Sequence, residues 1–346
     1  MRDFLRTARR GRLTTAVAAA ACSCALTVGL VGCGSSDDVL RTPDGSVIST
    51  TTTRFAQVNI VNPGRDYSRT CLAPTPADPG TADVQRIVVT DPALLDSLCA
   101  LGLGPQVRAV VAAPGSVPAY LGPQLASVPA LGDQPAAPDV RAADPDVILS
   151  TPETASRMEA IASTGAAPDA RTVTIAPSPD WQDEFSETAR AVNRAAAGKQ
   201  RLDEFAAEAA RVGRLMDAAH TQASLVRFQP DQTTIEGTDS FAAQIMKIVG
   251  VDRPAAQRTP DAVKMTDDNH TEADADLIYV SYQGEEGKAR GKDVLLSDQW
   301  LDMGAPTWKR VLSVDDGVWY ADPGLSAAWL IVNDLKSSLN GSSAAE

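Results

Sequence analysis

Two amphipathic stripes near the middle of the chain constrain what can surround them. The first starts behind Ser178-Pro179-Asp180, a small polar cap with a proline beside it, which is helix-start chemistry. Its apolar positions are Trp181, Phe185, Ala189, Val192 and Ala196. The second stripe carries Leu202, Phe205, Ala209, Val212, Met216 and Ala219. Spacings of three and four residues put each set on one helix face. At about 100° per residue the two faces are offset by roughly a third of a turn. Gly198 lies at the offset, and glycine ends or bends helices. The pattern predicts a docked helix, a break at Gly198, and a longer helix from Lys199 to about Ala219, together spanning 181–219. Strand–helix alternations precede the pair, and a second, smaller set follows. A chain so divided reads as α/β, with two parallel-sheet lobes joined by one long α-helix.

At 346 residues there is enough chain for two lobes with their own cores. The first 32 residues do not belong to them. Arg2, Arg6, Arg9, Arg10 and Arg12 form a basic opening, an uncharged and mostly apolar run follows, and Leu30-Val31-Gly32-Cys33 then precedes Gly-Ser-Ser-Asp-Asp. This is a signal peptide over 1–32 ending in a lipobox, with Cys33 as the acylated residue. The same uncharged run is also just long enough to serve as a transmembrane anchor. Arg9-Arg10 leaves export by the twin-arginine or the general route open. Formal net charge is −13 overall, and about −17 once the leader is gone. That balance excludes a nucleic-acid partner.

Five cysteines resolve by arithmetic. Cys22 and Cys24 leave with the leader and Cys33 takes the lipid. Cys71 and Cys99 remain, either as a disulfide of an exported protein or as two separate buried thiols. Residues 33–83 hold four consecutive threonines, several Pro and Gly and little periodicity, and read as a flexible, lipid-tethered linker. Within them 55–60 alternates and could add an edge strand. The first lobe is expected over 84–180, with strands at 86–90, 107–113, 147–150 and 172–175 and helices between them. The second is expected over 220–340, with strands at 224–228, 277–281 and 310–314 and helices at 241–249, 295–303 and 325–339. Gly317-Val318-Trp319-Tyr320 reads as strand or loop, and 341–346 as a tail.

Motifs that would carry catalysis or bind a bare metal are missing. Only His220 and His270 are present, too few for a zinc or manganese receptor. Asp267-Asp268-Asn269-His270-Thr271 opens like a calcium loop but has Glu272 where glycine is needed and Ile278 where the bidentate Glu belongs. Gly102-Leu103-Gly104 reads as a helix stop, and no serine elbow or phosphate loop occurs. The expectation is a non-enzymatic protein without cofactor.

The ordered set Arg86-Ile87-Val88-Val89, Leu95 to Leu103, Ala137-Pro138-Asp139-Val140-Arg141, Asp144-Pro145-Asp146-Val147-Ile148-Leu149, Asp274-Ala275-Asp276-Leu277-Ile278-Tyr279 and Val318-Trp319 resembles a known family. It is similar to the single-helix-hinge periplasmic binding proteins for ferric siderophores, haem and cobalamin. Within these it is most like actinobacterial lipoproteins of ferric-citrate type. The resemblance covers about 84–340. It implies a ligand cleft between the lobes, little hinge closure, and a monomer that delivers a ferric siderophore or haem-type ligand to an ABC permease. A haem-binding protein or a membrane-tethered scaffold of the same fold, without a dedicated permease, is the other reading. The family's ligand-facing positions are loops at the carboxyl ends of lobe strands, which here hold Thr90, Asp91, Tyr120, Thr151, Trp181, Glu236, Thr238, Tyr282, Trp319 and Tyr320. Rings there would stack on a flat chelate, or they are ordinary packing. Permease docking in the family uses one acid per lobe. Asp268 matches on the second lobe, whereas Arg141, of opposite charge, stands at the matching place on the first.

Overall fold

A computed structural model describes residues 56–339. The leader, Cys33 and the tail lie outside the described residues. Strand β1 (Asn59–Ile60) comes first, followed by β2 (Ile87–Val89), α1 (Leu94–Ala100), β3 (Val107–Val110), α2 (Gly122–Ala126), α3 (Ala137–Ala143), β4 (Val147–Ser150), α4 (Pro152–Ile161) and β5 (Arg171–Thr174). Helices α5 (Trp181–Ala191) and α6 (Ala195–Leu215) form the middle. Then come β6 (Ala223–Phe228), β7 (Thr233–Ile235), α7 (Phe241–Val249), β8 (Val263–Lys264), β9 (Leu277–Tyr282), α8 (Gly284–Leu295), α9 (Asp298–Leu301), α10 (Gly304–Thr307), β10 (Val311–Ser313) and α11 (Leu325–Ser338).

The first sheet has order β3-β2-β4-β5 and is wholly parallel. The second has order β1-β10-β9-β6-β7-β8. Its first four strands are parallel, while β7 runs antiparallel to both of its neighbours, β6 and β8. The set after the linking helix is therefore the larger one, because a hairpin and the early strand β1 both add to it.

Alternation along the strands sorts side chains between layers. Ile87, Val89 and Leu149 point into one large core, while Val88, Ile148 and Ala109 point outward to a smaller cluster with Val140 and Met158. In the second sheet Leu225 and Tyr279 enter the same large core. Val226, Phe228, Ile278 and Val280 face an outer cluster around Trp300. Residues of α1, α5, α6, α7 and α11 fill the shared core, so both sheets lean on one helical spine.

The helix break falls at residues 192–194 instead of Gly198. Asn193 adopts a left-handed conformation, φ 57°, and ends α5. Gly198 lies inside α6, where a Cβ would stand 2.6 Å from the Ala189 Cβ, so this glycine lets α5 and α6 approach. The centres of the stripes are as read, with Phe185 and Ala189 on α5 and Phe205, Ala209 and Val212 on α6 buried. Their ends are not: Ala196 falls on α6 and is exposed, Leu202 and Met216 are half-buried, and Ala219 is exposed beyond the end of α6.

Residues 56–83 are not a flexible linker. Strand β1 pairs with β10 in the second sheet. Asn62 and Arg65 bind the Asp334 carboxylate on α11, and the Tyr67 hydroxyl donates to Asp315 at 2.8 Å. Cys71 is bonded to Cys99 of α1, with Cα atoms 4.5 Å apart. The Asp78 carboxylate accepts from the backbone N–H groups of Ala195 and Ala196, at 2.8 and 3.0 Å, capping α6. Asp83 pairs with Arg194, whose side chain is only 2% exposed. The strap thus holds the second sheet, α1 and the α5–α6 junction together.

Candidate functional site

At the carboxyl ends of β6, β9 and β10 the second lobe presents a polar wall. Arg227, near the end of β6, makes a two-point bond to Asp316 at 2.8 and 2.9 Å. The Ser281 hydroxyl of β9 donates to the same carboxylate at 3.0 Å. Residues Gly317–Ala321 form one π-type turn, where a strand or loop was expected. Such turns open a helix and reposition its side chains. It lays the Tyr320 ring against Arg227, 4.8 Å from guanidinium carbon to ring centroid. Burial works against the Arg227 charge, but Asp316 more than offsets it and its pKa is raised. Behind them Glu236 accepts from the Thr234 hydroxyl at 2.6 Å, and Arg253 donates to the Glu236 carbonyl.

Asp91 follows β2, Glu184 sits in the first turn of α5, and Asp322 follows the π-type turn. Burial first, then the charges of Asp91 and Asp322, holds the Glu184 carboxyl above its ordinary range. Burial and Asp91 do the same to Asp322. Among the described residues no three His, Cys, Asp or Glu side chains form a set able to hold a metal ion.

The expected ligand-facing residues part company here. Glu236 and Tyr320 stand together in the polar wall. Thr238 is half-buried beside it, its N–H bonded to the Thr259 carbonyl. On the first lobe Thr90 and Thr151 are buried, and their hydroxyls meet that of Thr154 at 2.6 and 3.2 Å in the first turn of α4. Asp91 accepts from the Ala93 N–H.

The rings do not sandwich a common space. Trp319 is fully buried, donates from Nε1 to Asp334 at 2.9 Å and packs on Tyr279. Trp181 makes edge-on contacts with Phe205 and Phe241 in the seam between α5, α6 and α7. Tyr120 is buried, bonded to Asp96 at 3.0 Å. Tyr282 stacks on Phe228 at 5.4 Å, beneath the α8 face cleared by Gly291. Each of these four rings meets a partner within its own packing layer, and of the expected rings only Tyr320 stands in the polar wall. Asp268 is exposed in the turn after β8, next to a cavity of about 350 Å³ lined by Lys264, Asp267 and His270, and Arg141 is exposed on α3.

Arg227 and Arg253 were missed. Neither belongs to a spaced motif. The available signal was a cation inside the apolar run 223–228, since a charge in a buried strand needs a partner.

Comparison with known proteins supports the architecture. A siderophore-binding lipoprotein of Bacillus subtilis described as probable, YfiY, is 28% identical over 176 residues, covering 46% of this chain and 53% of the relative. That match spans only about half of the relative's length. Among solved structures, SirA of Staphylococcus aureus complexed with staphyloferrin B matches with TM-score 0.58 and 19% identity, covering 75% of this chain and 94% of that one. The triscatecholate siderophore binding protein FeuA of Bacillus subtilis matches with TM-score 0.55 and 14% identity, covering 75% and 93%. The family model described as periplasmic binding protein matches residues 87–316, well over half of the chain. Two sheets on one helical spine, a polar wall at the strand ends and this match together place the chain in the periplasmic binding protein family.

Proposed function

We propose that the chain is a lipid-anchored extracytoplasmic receptor that takes a ferric chelate into the cleft and delivers it to an ABC importer. The observation that carries this is the polar wall of Arg227, Glu236 and Tyr320 at the strand ends of a periplasmic binding protein fold. Open α/β sheets bind ligands at that end. The relative named as a siderophore-binding lipoprotein and the siderophore complexes among the structural neighbours agree with it. Thr90, Asp91 and Thr151 form the opposite side, and Asp268 is the docking acid for the permease. Cys33 carries the anchor, so Cys33→Ala is expected to release the protein from membranes. Among the described residues no helix is long and apolar enough to cross a bilayer.

The test is a titration of intrinsic tryptophan fluorescence with ferric siderophores, ferric citrate, haem and cobalamin. Saturable quenching by a ferric chelate is expected. Saturation by haem alone would move the assignment to haem handling, and no saturation by any of them would remove the receptor role.

A further inference from the structure

Trp308 is the most exposed large apolar side chain among the described residues, at 76%, whereas the other four tryptophans are buried or half-buried. It closes α10, its N–H donating to the Gly304 carbonyl at 2.9 Å. Lys309 and Arg310 follow, both exposed, and β10 starts at Val311. Single exposed apolar residues are common, so exposure by itself assigns nothing. The place of this ring in the sheet does.

Strands β1, β10, β9 and β6 are parallel, so their amino ends form one base of the second lobe. Trp308 stands at that base. Asp274, just ahead of β9, accepts from the N–H groups of Gly304 and Ala305 at 2.7 and 2.9 Å and fixes α10 there. Asn59 of β1 lies opposite Leu312 of β10, so residues 56–58 arrive beside Arg310 and Val311. Ala56 and Val58 pack there against the outer cluster that holds Met303, Ala305 and Val311. The chain therefore enters the lobe next to Trp308. Cys33, expected to carry the lipid, is separated from this point by residues 34–55, at most roughly 75 Å of chain.

The polar wall is at the other end of the same strands. From Arg310 to Asp316 is about 20 Å along β10. Strand β8 runs with β6, because β7 is antiparallel to both, so Asp268 also lies at the wall's end. A receptor that presents Asp268 to a permease thus lifts Trp308 away from the bilayer.

We propose that the base of the second lobe around Trp308 rests on the headgroup region of the bilayer and holds the cleft turned outward, so that delivery requires the receptor to turn over on its tether. The proposal rests on Cys33 carrying the lipid. An indole, apolar with one polar N–H, is suited to the headgroup level. Arg310 adds attraction to anionic lipid. Asp276 and Asp302 on the same end weaken that attraction, so the ring carries the contact. The protein as a whole, at net charge −13, is repelled by anionic lipid, which disfavours its other faces.

The test reconstitutes the full-length lipidated protein into vesicles of phosphatidylcholine and phosphatidylglycerol, with and without brominated acyl chains that quench indoles at the bilayer. Wild type is expected to lose about a fifth of its tryptophan emission to the brominated lipid, one ring of five. Trp308→Ala is expected to lose none, with an unchanged melting temperature. Arg310→Glu keeps the ring and should cut the quenching by about half. Vesicle-bound wild type without quenching overturns the contact and leaves the anchor standing. Protein that carries no lipid and washes off the vesicles overturns both. Equal quenching in wild type and Trp308→Ala puts another face on the bilayer and overturns the assignment to Trp308. A dimer in solution that Trp308→Ala abolishes gives this face to a second copy and also overturns it.

Discussion

Trp319 and Asp96 show how much a single buried side chain can decide. The Trp319 ring fills a gap against Tyr279, and its N–H meets Asp334, which also holds Asn62 and Arg65 of the strap. Trp319→Ala is expected to cost about 3–5 kcal/mol of stability, as large-to-small core changes do, with affinity per folded molecule unchanged. Urea midpoints and ligand titrations on the same sample check this. Near-normal stability with a tenfold loss of affinity would return the ring to the cleft. Asp96 of α1 accepts from the N–H groups of Ser326 and Ala327 at 2.7 and 2.9 Å, capping α11, and from Tyr120. Gly324 allows that approach, since a Cβ there would collide with the carboxyl. Burial outweighs these bonds and pushes the Asp96 pKa up to about 6, from 3.8. A folded pKa above the unfolded one means stability fully present below about pH 4 and lost as pH rises through about 6. The stability advantage of wild type over Asp96→Asn should therefore shrink by on the order of 3 kcal/mol between pH 4 and 7. Denaturation curves at several pH values measure it, and a constant gap would mean that Asp96 is ionised throughout.

At the scale of elements, the linking pair depends on residues far away in sequence. Asp78 satisfies two of the orphan N–H groups at the start of α6, so Asp78→Ala should cost about 1–2 kcal/mol. A cap supplied from more than a hundred residues away leaves no local signature, which is why 56–83 reads as spacer. Gly198 was legible as special and its role was not. A bend and a close helix contact both call for glycine, and only the position of Ala189 distinguishes them. The Cys71–Cys99 bond closes a separation of 28 residues. Replacing both cysteines with serine should cost roughly 3–4 kcal/mol on chain-entropy grounds, and reducing agent should lower the melting temperature of the native protein alone.

For the whole molecule, the strap and the shared core make the two lobes one folding unit. A protein beginning at residue 84 lacks β1, both bonds to Asp334, the disulfide and the α6 cap. It is expected to aggregate or to melt well below a protein beginning at residue 56, as paired thermal melts would show. Equal melting would restore the tether reading. Alternating strands and helices, the stripes of α5 and α6 and the parallel first sheet were all decided within local windows of sequence, because burial of one face imposes a period of two or of about 3.6. Which rings line the cleft, where the helix breaks and which cations go unpaired were decided only in three dimensions. Trp181 and Trp319 carry no mark that separates a stacking platform from core filling, and Arg253 becomes conspicuous only once its neighbours are known. Local periodicity records which face is buried, while partner identity depends on contacts between residues that the chain separates by tens to hundreds of positions.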